Sequence, residues 1–353
     1  MTPRIHLGSR VVGAGDTPYV IAEIGVNHEG SLETAKLLIE LAKNGGADAA
    51  KFQTYKAETL ASKHSPAYWD TTKEATRSQY ELFRKYDVFG PGEYKELAKH
   101  CASVGIDFVS TPFDDAAADL LAPLVPFFKV ASADLTNTPL LRRVARAGKP
   151  VVLSVGASTL EEIDGALATL RAAGATSIAL LHCILNYPTA DENANLRMIS
   201  GLAQRYPECV LGYSDHTVPK SGLPSLVAAW LLGAVILEKH FTHDTSLPGN
   251  DHYHAMTTEH LQQFRCEIQR IEPLLGSHHK APLPSEDIAR LNARRSIVVA
   301  RNLPAGHLIT EADITYKRPG NGVSPLHWDD VIGRMTTRAL EEDHVLMWSD
   351  VVD

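Results

Sequence analysis

The stretch YVIAEIGVNHEG, residues 19–30, decides the architecture. Its first six residues are an apolar, β-branched run that reads as a strand. SLETAKLLIELAKNGG follows with helical period, with Ser31 as an N-cap candidate and Gly45-Gly46 as a stop. A strand, turn and helix in this order open either a doubly wound sheet or a (β/α)8 barrel. The turn AEIGVNHEG lacks the G-x-G-x-x-G pattern that seats a pyrophosphate in a dinucleotide-binding open sheet. That omission directs attention to how the later strands end.

DAAKFQT (48–54), IDFVST (106–111), FFKVAS (127–132), PVVLSVG (150–156), SIALLH (177–182), CVLGYSDH (209–216) and AVILEKH (234–240) continue the rhythm, separated by helix-length segments rich in Ala and Leu. A long polar insert after the second run precedes PGEYKELAKHCASVG, which starts its helix at Pro91. Eight strand–helix units over roughly 250 residues have the size of a TIM barrel. Nearly every run ends in polar groups: Glu23, Lys51 with Gln53, Ser110 with Thr111, Lys129 with Ser132, Ser154, His182, Ser214 with His216, and Glu238 with His240. Barrel enzymes build their sites at this C-terminal rim, so the α/β barrel is preferred to the open sheet. The expected division is a barrel over 1–275, a Pro- and His-rich linker over 276–294, and a small module of short strands over 295–353. No internal repeat is apparent.

With 353 residues, of which 44% are hydrophobic, the chain is long enough to bury a substantial core. Its net charge of -8 and lack of long Lys/Arg runs argue against nucleic-acid and anionic-membrane partners. Cys101, Cys183, Cys209 and Cys266 are dispersed and suggest neither a disulfide framework nor a zinc knuckle. MTPRIHLGSRVVGAG carries no signal-peptide core, and no apolar run reaches membrane-spanning length, so a cytoplasmic protein is expected.

Side chains two apart on a strand share a face. Parity therefore turns Lys51 with Gln53, Ser214 with His216, and Glu238 with His240 toward the barrel mouth, and Lys239 away from it. Adjacent strands are roughly 4.8 Å apart, so His216 and His240 can meet at one divalent ion, with open positions suited to Mn2+, Zn2+, Co2+ or Fe2+. The alternative is two hydrogen-bonded rim histidines. His243, His252 and His254 read as loop residues beyond the last strand, with His243 and the H-x-H pair of His252 and His254 as alternative metal ligands. Lys51 and Lys129, with Ser132 and Ser154 nearby, suit a small phosphate or carboxylate ligand, or else salt bridges to Glu23 and Glu238. Glu23 is the natural general acid or base, raised by burial and lowered by the lysines. Asn27, His28 and Glu29 lie in the first loop, where they could contact ligand or form a polar turn, and Tyr187 and Asp215 are rim residues that either bind a sugar hydroxyl or serve a structural role.

In order, AEIGVNHEG, AAKFQT, STPF, KVAS, LS-x-G, NYPT, GYSDHT and EKHFT, closed by RRS and KRPGNG, resemble the sialic acid (N-acetylneuraminate) synthase family over nearly the whole chain. The resemblance implies a barrel followed by an antifreeze-like SAF domain. It also implies condensation of phosphoenolpyruvate with an N-acylated aldose to give a nine-carbon 3-deoxy-2-keto acid and phosphate. His216 and His240 would hold the metal, usually Mn2+ with Mg2+ or Co2+ as alternatives, which polarises the aldehyde. Lys51, Lys129, Ser132, Ser154 and Ser214 would bind phosphoenolpyruvate, and Glu23 would move the proton. Gln53, Tyr187 and Asp251 would contact the sugar, and Arg318 would reach its acyl group from the partner in a domain-swapped homodimer. Asp134 stands where the family often has Glu, Leu185 where some members have a polar residue, and Val155-Gly156-Ala157 and NDHYHAM also depart from the usual pattern. These departures surround the sugar, leaving N-acetylmannosamine as the default and a 2,4-diacetamido-trideoxyhexose close behind. The alternatives are a synthase acting on a phosphorylated aldose, as in Kdo phosphate synthesis, and a non-catalytic sugar-binding scaffold.

Overall fold

The computed structural model describes residues 2–69, 71–72, 74–249 and 251–353. Its contacts divide the chain into two compact units, Met1–Leu275 and Gly276–Asp353.

The first unit is built on eight parallel strands: β1 (Tyr19–Gly25), β2 (Ala49–Thr54), β3 (Asp107–Pro112), β4 (Phe128–Val130), β5 (Val151–Ser154), β6 (Ile178–Cys183), β7 (Val210–Asp215) and β8 (Ile236–His240). Hydrogen bonding runs β3-β2-β1-β8-β7-β6-β5-β4, and β3 lies beside β4 to complete the ring. Each strand is followed by a helix: α1 (Leu32–Gly45), α2 (Pro91–Val104), α3 (Asp115–Leu121), α4 (Thr138–Arg146), α5 (Leu160–Ala172), α6 (Met198–Arg205), α7 (Pro224–Leu231) and α8 (Thr258–Leu275). This is a TIM barrel. Local chemistry sets the helix limits: the Ser31 side chain accepts from Thr34 N, and Gly46 closes α1 in the left-handed region that a side chain would disfavour.

Alternation along each strand divides two cores. Tyr19, Ile21, Ala49, Val109, Val152, Leu181 and Ile236 fill the interior, whereas Val20, Ala22, Ile24, Phe52, Leu153 and Leu237 pack beneath the helices. Each large aliphatic side chain buried in this way contributes about 1.5–3 kcal/mol of transfer free energy. An N-terminal antiparallel hairpin, Arg4–Leu7 with Arg10–Gly13, adds Ile5, Leu7 and Val12 to the interior core. Gly212 on β7 is required because a Cβ there would collide with the Ile236 carbonyl. The polar insert after β2 carries short helices at Ala57–Leu60 and Gln79–Tyr86.

The second unit pairs Ser296–Val299 with Ile314–Lys317 and Met335–Thr336 with Val351–Val352, all antiparallel, around Ile297, Val299, Leu303, Ile309, Leu340 and Leu346. The segment read as a linker contains a helix at Asp287–Ala293. An internal repeat, not apparent in the sequence, emerges here. Arg301, Leu303, His307, Ile309 and Asp313 recur as Arg338, Leu340, His344, Leu346 and Asp350. In the first copy Asp313 accepts from His307 Nε2 at 3.0 Å and Arg301 Nε at 2.8 Å. In the second, Asp350 accepts from His344 Nε2 at 2.8 Å and Arg338 Nε at 3.0 Å. The repeat escapes reading by eye because only five positions recur and the intervening residues are loop.

Candidate active site

Strand register sets the floor of the barrel mouth. Glu23 on β1 lies between His240 on β8 and Lys51 on β2, and Ser214 on β7 pairs with Glu238 on β8. Lys51 contacts the Glu23 carboxylate, lies 3.8 Å from Glu238, and donates to Thr111 Oγ1 at 3.3 Å. Lys129 is 3.6 Å from Glu238, which also accepts from Ser214 Oγ at 2.8 Å. Gln53 Nε2 donates to Glu23 Oε1 at 2.9 Å. Ser132 Oγ accepts from Gly156 N at 2.9 Å, and the buried Ser154 hydroxyl has no protein partner.

The two carboxylates differ in protonation tendency. Burial raises the Glu23 pKa above the ordinary carboxylate range, against the opposing pull of Lys51. Burial pushes Glu238 the same way, but Lys129, Lys51 and the Ser214 hydrogen bond bring it down to about 2. Lys51 is held charged by Glu23 and Glu238 despite burial, whereas burial lowers Lys129. Two acidic groups with diverging pKa values are the arrangement from which acid/base roles are read. Glu238 is a fixed counter-charge, and Glu23 is the group biased to carry a proton.

At the other side of the mouth, four aromatic rings converge. The His216 and His240 ring centroids are 5.4 Å apart, Tyr187 lies 4.2 Å from His216 with the rings tilted by 38°, and His254 lies 4.9 Å from His240. His216 Nδ1 donates to Ile184 O at 2.8 Å, which fixes its tautomer. Burial and the neighbouring His240 lower the His216 pKa to about 4, keeping it neutral as a metal ligand must be. His240 Nδ1 faces Asp251 Oδ2 at 3.5 Å. Among the described residues, the buried His240 Nδ1 and both ring nitrogens of His254 have no hydrogen-bond partner. Burial lowers the His254 pKa to about 3, whereas at His240 burial is outweighed by Asp251, which raises the pKa. Imidazoles with orphaned nitrogens beside a carboxylate fit a divalent cation.

These groups, His254 excepted, line a cavity of about 520 Å3. Its lining mixes polar side chains such as Asn27, Gln53, Asp134 and Asp251 with Tyr55, Tyr68, Trp69, Phe83, Tyr86 and Leu185. The size suits small-molecule ligands.

The chain can now be set beside known proteins. The NeuB family profile matches residues 38–280, and the SAF domain profile matches 294–352. The chain belongs to the NeuB family. The N,N'-diacetyllegionaminic acid synthase of Legionella pneumophila is 36% identical over 351 residues, covering 98% of this chain and 97% of that one. The human N-acetylneuraminate-9-phosphate synthase is 32% identical, with 98% and 95% covered. Among solved structures, the N-acetylneuraminic acid synthetase of Leptospira borgpetersenii superposes with a TM-score of 0.71 at 32% identity, covering 82% of this chain and 95% of that one. The enzyme class expected from the motifs, a phosphoenolpyruvate-dependent synthase, stands.

Within this NeuB family member, Glu23, Lys51, Gln53, Lys129, Ser132, Ser154, Tyr187, Ser214, His216, His240 and Asp251 all line one cavity. Arg318 belongs to the second unit, exposed just after the strand Ile314–Lys317. Two rim readings are corrected. Asp215 faces the helices, buried against Lys239 Nζ at 2.9 Å, and His182 faces outward too, bonded to Ala194 O at 2.8 Å. Odd and even strand positions separate them from the mouth. Of the first loop, Asn27 and Glu29 line the cavity, while His28 stacks on Phe89 at 4.4 Å. His243 is exposed as expected of a loop, but His252 and His254 are buried in a short 3-10 turn. The complete burial of His254 and the aromatic lining supplied by the insert are what the sequence reading missed. The insert's aromatic residues were the available signal, whereas loop residue His254 had no periodicity to declare its burial.

Proposed function

We propose that this synthase condenses phosphoenolpyruvate with a 2,4-diacetamido-2,4,6-trideoxyhexose, giving a nine-carbon diacetamido 3-deoxy-2-keto acid of the legionaminic type and inorganic phosphate. The observation that carries the reading is a cavity lining that combines two lysines and three serines at the barrel strands with Leu185 and the insert aromatics. Lys51 and Lys129 offset the charge of phosphoenolpyruvate, with the hydroxyls of Ser132, Ser154 and Ser214 as hydrogen-bond donors. Glu23, beside Lys51, handles the proton as water adds at C2. Gln53, Tyr187 and Asp251 hold the open-chain sugar with its aldehyde toward C3 of phosphoenolpyruvate. A divalent ion at His216 and His240, Mn2+ by preference, supplies Lewis-acid polarisation of that aldehyde.

Leu185 and the aromatic lining residues favour a sugar with a C6 methyl and a second acetamido group over N-acetylmannosamine, which has a hydroxyl at C6 and none of the extra apolar surface. A phosphorylated acceptor fits less well. Among the described residues lining the cavity, Lys51 and Lys129 are the only lysines or arginines, and both lie at the floor where the first phosphate is bound. A non-catalytic scaffold gives no account of two inward lysines, two carboxylates of opposed pKa and a histidine cluster in one cavity. The working molecule is a cytoplasmic domain-swapped homodimer in which the partner subunit brings Arg318 to the sugar's acyl group.

The test is phosphate release by the Mn2+-loaded enzyme with phosphoenolpyruvate and each of three aldoses: the diacetamido-trideoxyhexose, N-acetylmannosamine and its 6-phosphate. The diacetamido sugar is expected to have the highest kcat/KM, and chelation should abolish turnover. Preference for either mannosamine overturns the sugar assignment, and turnover surviving chelation overturns the metal.

A further inference from the structure

His240 is shared between two groupings. Across the mouth it faces His216, and on its loop side it faces Asp251 and His254. Ligand atoms of His240, Asp251 and His254 all lie within 4.8 Å of one another. His254 is completely buried, yet among the described residues neither ring nitrogen has a hydrogen-bond partner. An imidazole sealed from water without a partner loses its solvation for nothing, and such groups in a folded protein point to something that completes them.

Its neighbours narrow what that is. The other histidine of the H-x-H pair, His252, is already engaged: its Nδ1 meets Thr242 Oγ1 at 2.8 Å, and its Nε2 lies 3.8 Å from Glu29. The His216 Nδ1 is committed to the Ile184 carbonyl. His254 is therefore a buried histidine of this loop whose one free nitrogen lone pair, whichever tautomer it takes, is not used by a protein donor among the described residues, close to a second imidazole and a buried carboxylate. An imidazole pair with a carboxylate is a transition-metal donor set.

We propose that His254 is a ligand of the divalent ion, acting with His240 and Asp251 on the loop side of the site, so that the ion is held by more than the His216–His240 pair. The inference rests on the metal-dependent reading of this cavity but not on which sugar is used. Each added imidazole shifts preference away from Mg2+, which favours oxygen ligands, toward Mn2+, Co2+ and Zn2+. The Asp251 carboxylate then serves the ion as well as the sugar.

The experiment is direct metal binding to the chelator-stripped full-length protein without substrates. Mn2+ is titrated and the free ion is followed by electron paramagnetic resonance. His254→Ala is expected to weaken Mn2+ binding by about 10–100-fold, the range set by loss of a metal-supporting group. His252→Ala should remain within about twofold of the parent, because its nitrogens face Thr242 and Glu29. His254→Cys loaded with Co2+ should gain a thiolate-to-cobalt charge-transfer band in the near ultraviolet, which a merely packed side chain would not give. Unchanged Mn2+ affinity in His254→Ala, or a His254→Cys protein that binds Co2+ without that band, overturns the proposal. Circular dichroism and thermal melts of both variants identify misfolding, and the Cys variant carries the test if Ala does not fold. Parent turnover that needs metal, together with unchanged Mn2+ binding in His254→Ala, sinks this inference alone. Loss of Mn2+ binding in the variant, with no turnover of any aldose, sinks the functional reading alone.

Discussion

Glu23 and Glu238 have the same side chain, lie on neighbouring strands and share Lys51, yet they are biased in opposite directions. The difference lies in partners: Glu238 has two lysines and a serine hydroxyl, and Glu23 has one lysine and an amide. If Glu23 transfers the proton, Glu23→Gln should lower kcat by about 10²–10⁴-fold while phosphoenolpyruvate affinity, read by calorimetry, changes only a few-fold. Because burial raises the Glu23 pKa, the acidic limb of the parent kcat–pH profile should lie above the ordinary carboxylate range and disappear in the variant. A variant with parental kcat, or with the same acidic limb, removes Glu23 from the chemistry. Strand parity made Glu23, Lys51, Ser214, His216 and His240 legible without a structure, because a period of two leaves each of them a single face. His254 was illegible for the complementary reason. In a loop nothing periodic links neighbouring positions, so His252 and His254 looked alike in sequence although one is bonded and the other is orphaned.

At the scale of elements, each barrel strand has two polar programmes on opposite faces. β7 and β8 turn Ser214, Glu238 and His240 inward and Asp215 and Lys239 outward, beneath the helices. There Asp215 accepts from Tyr213, Thr217, Ser225 and Lys239. Both charged side chains are fully buried. Removing one partner strands the other, so Asp215→Ala should cost about 3–5 kcal/mol by denaturant unfolding, and adding Lys239→Met should recover much of it. A double variant no more stable than the single one would show that the pair does not account for the loss. The sign with pH follows from the direction of the shift. Burial would raise the Asp215 pKa, but Lys239 and the hydrogen bonds lower it below its unfolded value. The stabilisation is therefore present above the unfolded pKa and is lost as pH falls through the folded one. Of the two roles open to Asp215 in the sequence, its outward face selects the structural one, because the face of a strand's last residue decides its use more than its place at the rim.

At the scale of the whole molecule, the barrel cavity is lined by Lys51, Lys129, Glu23, Glu238, His216 and His240, while Arg318 lies in the second unit. The barrel was legible because eight similar units repeat one hydrophobic pattern; the repeat in the second unit was not, since its five matching positions are spread over loops. If the second unit acts on the partner's barrel, an Arg318→Ala chain and a His240→Ala chain carry defects in different sites. In a swapped heterodimer, the intact barrel of the first chain receives the intact Arg318 of the second. Each protein alone should be weak, Arg318→Ala through a raised sugar KM with phosphoenolpyruvate binding retained, and His240→Ala through loss of the metal. Mixed at equal concentration, dissociated and reassociated, they should form about a quarter fully equipped sites if dimers pair at random. Activity at low sugar concentration should rise after reassociation above the average of the two unmixed proteins. An arrangement in which each second unit serves its own barrel predicts no rise, because every site would then keep one of the two lesions. Size-exclusion chromatography with light scattering checks that dimers form, and a dimeric but unrescued mixture would locate Arg318 away from the partner's sugar.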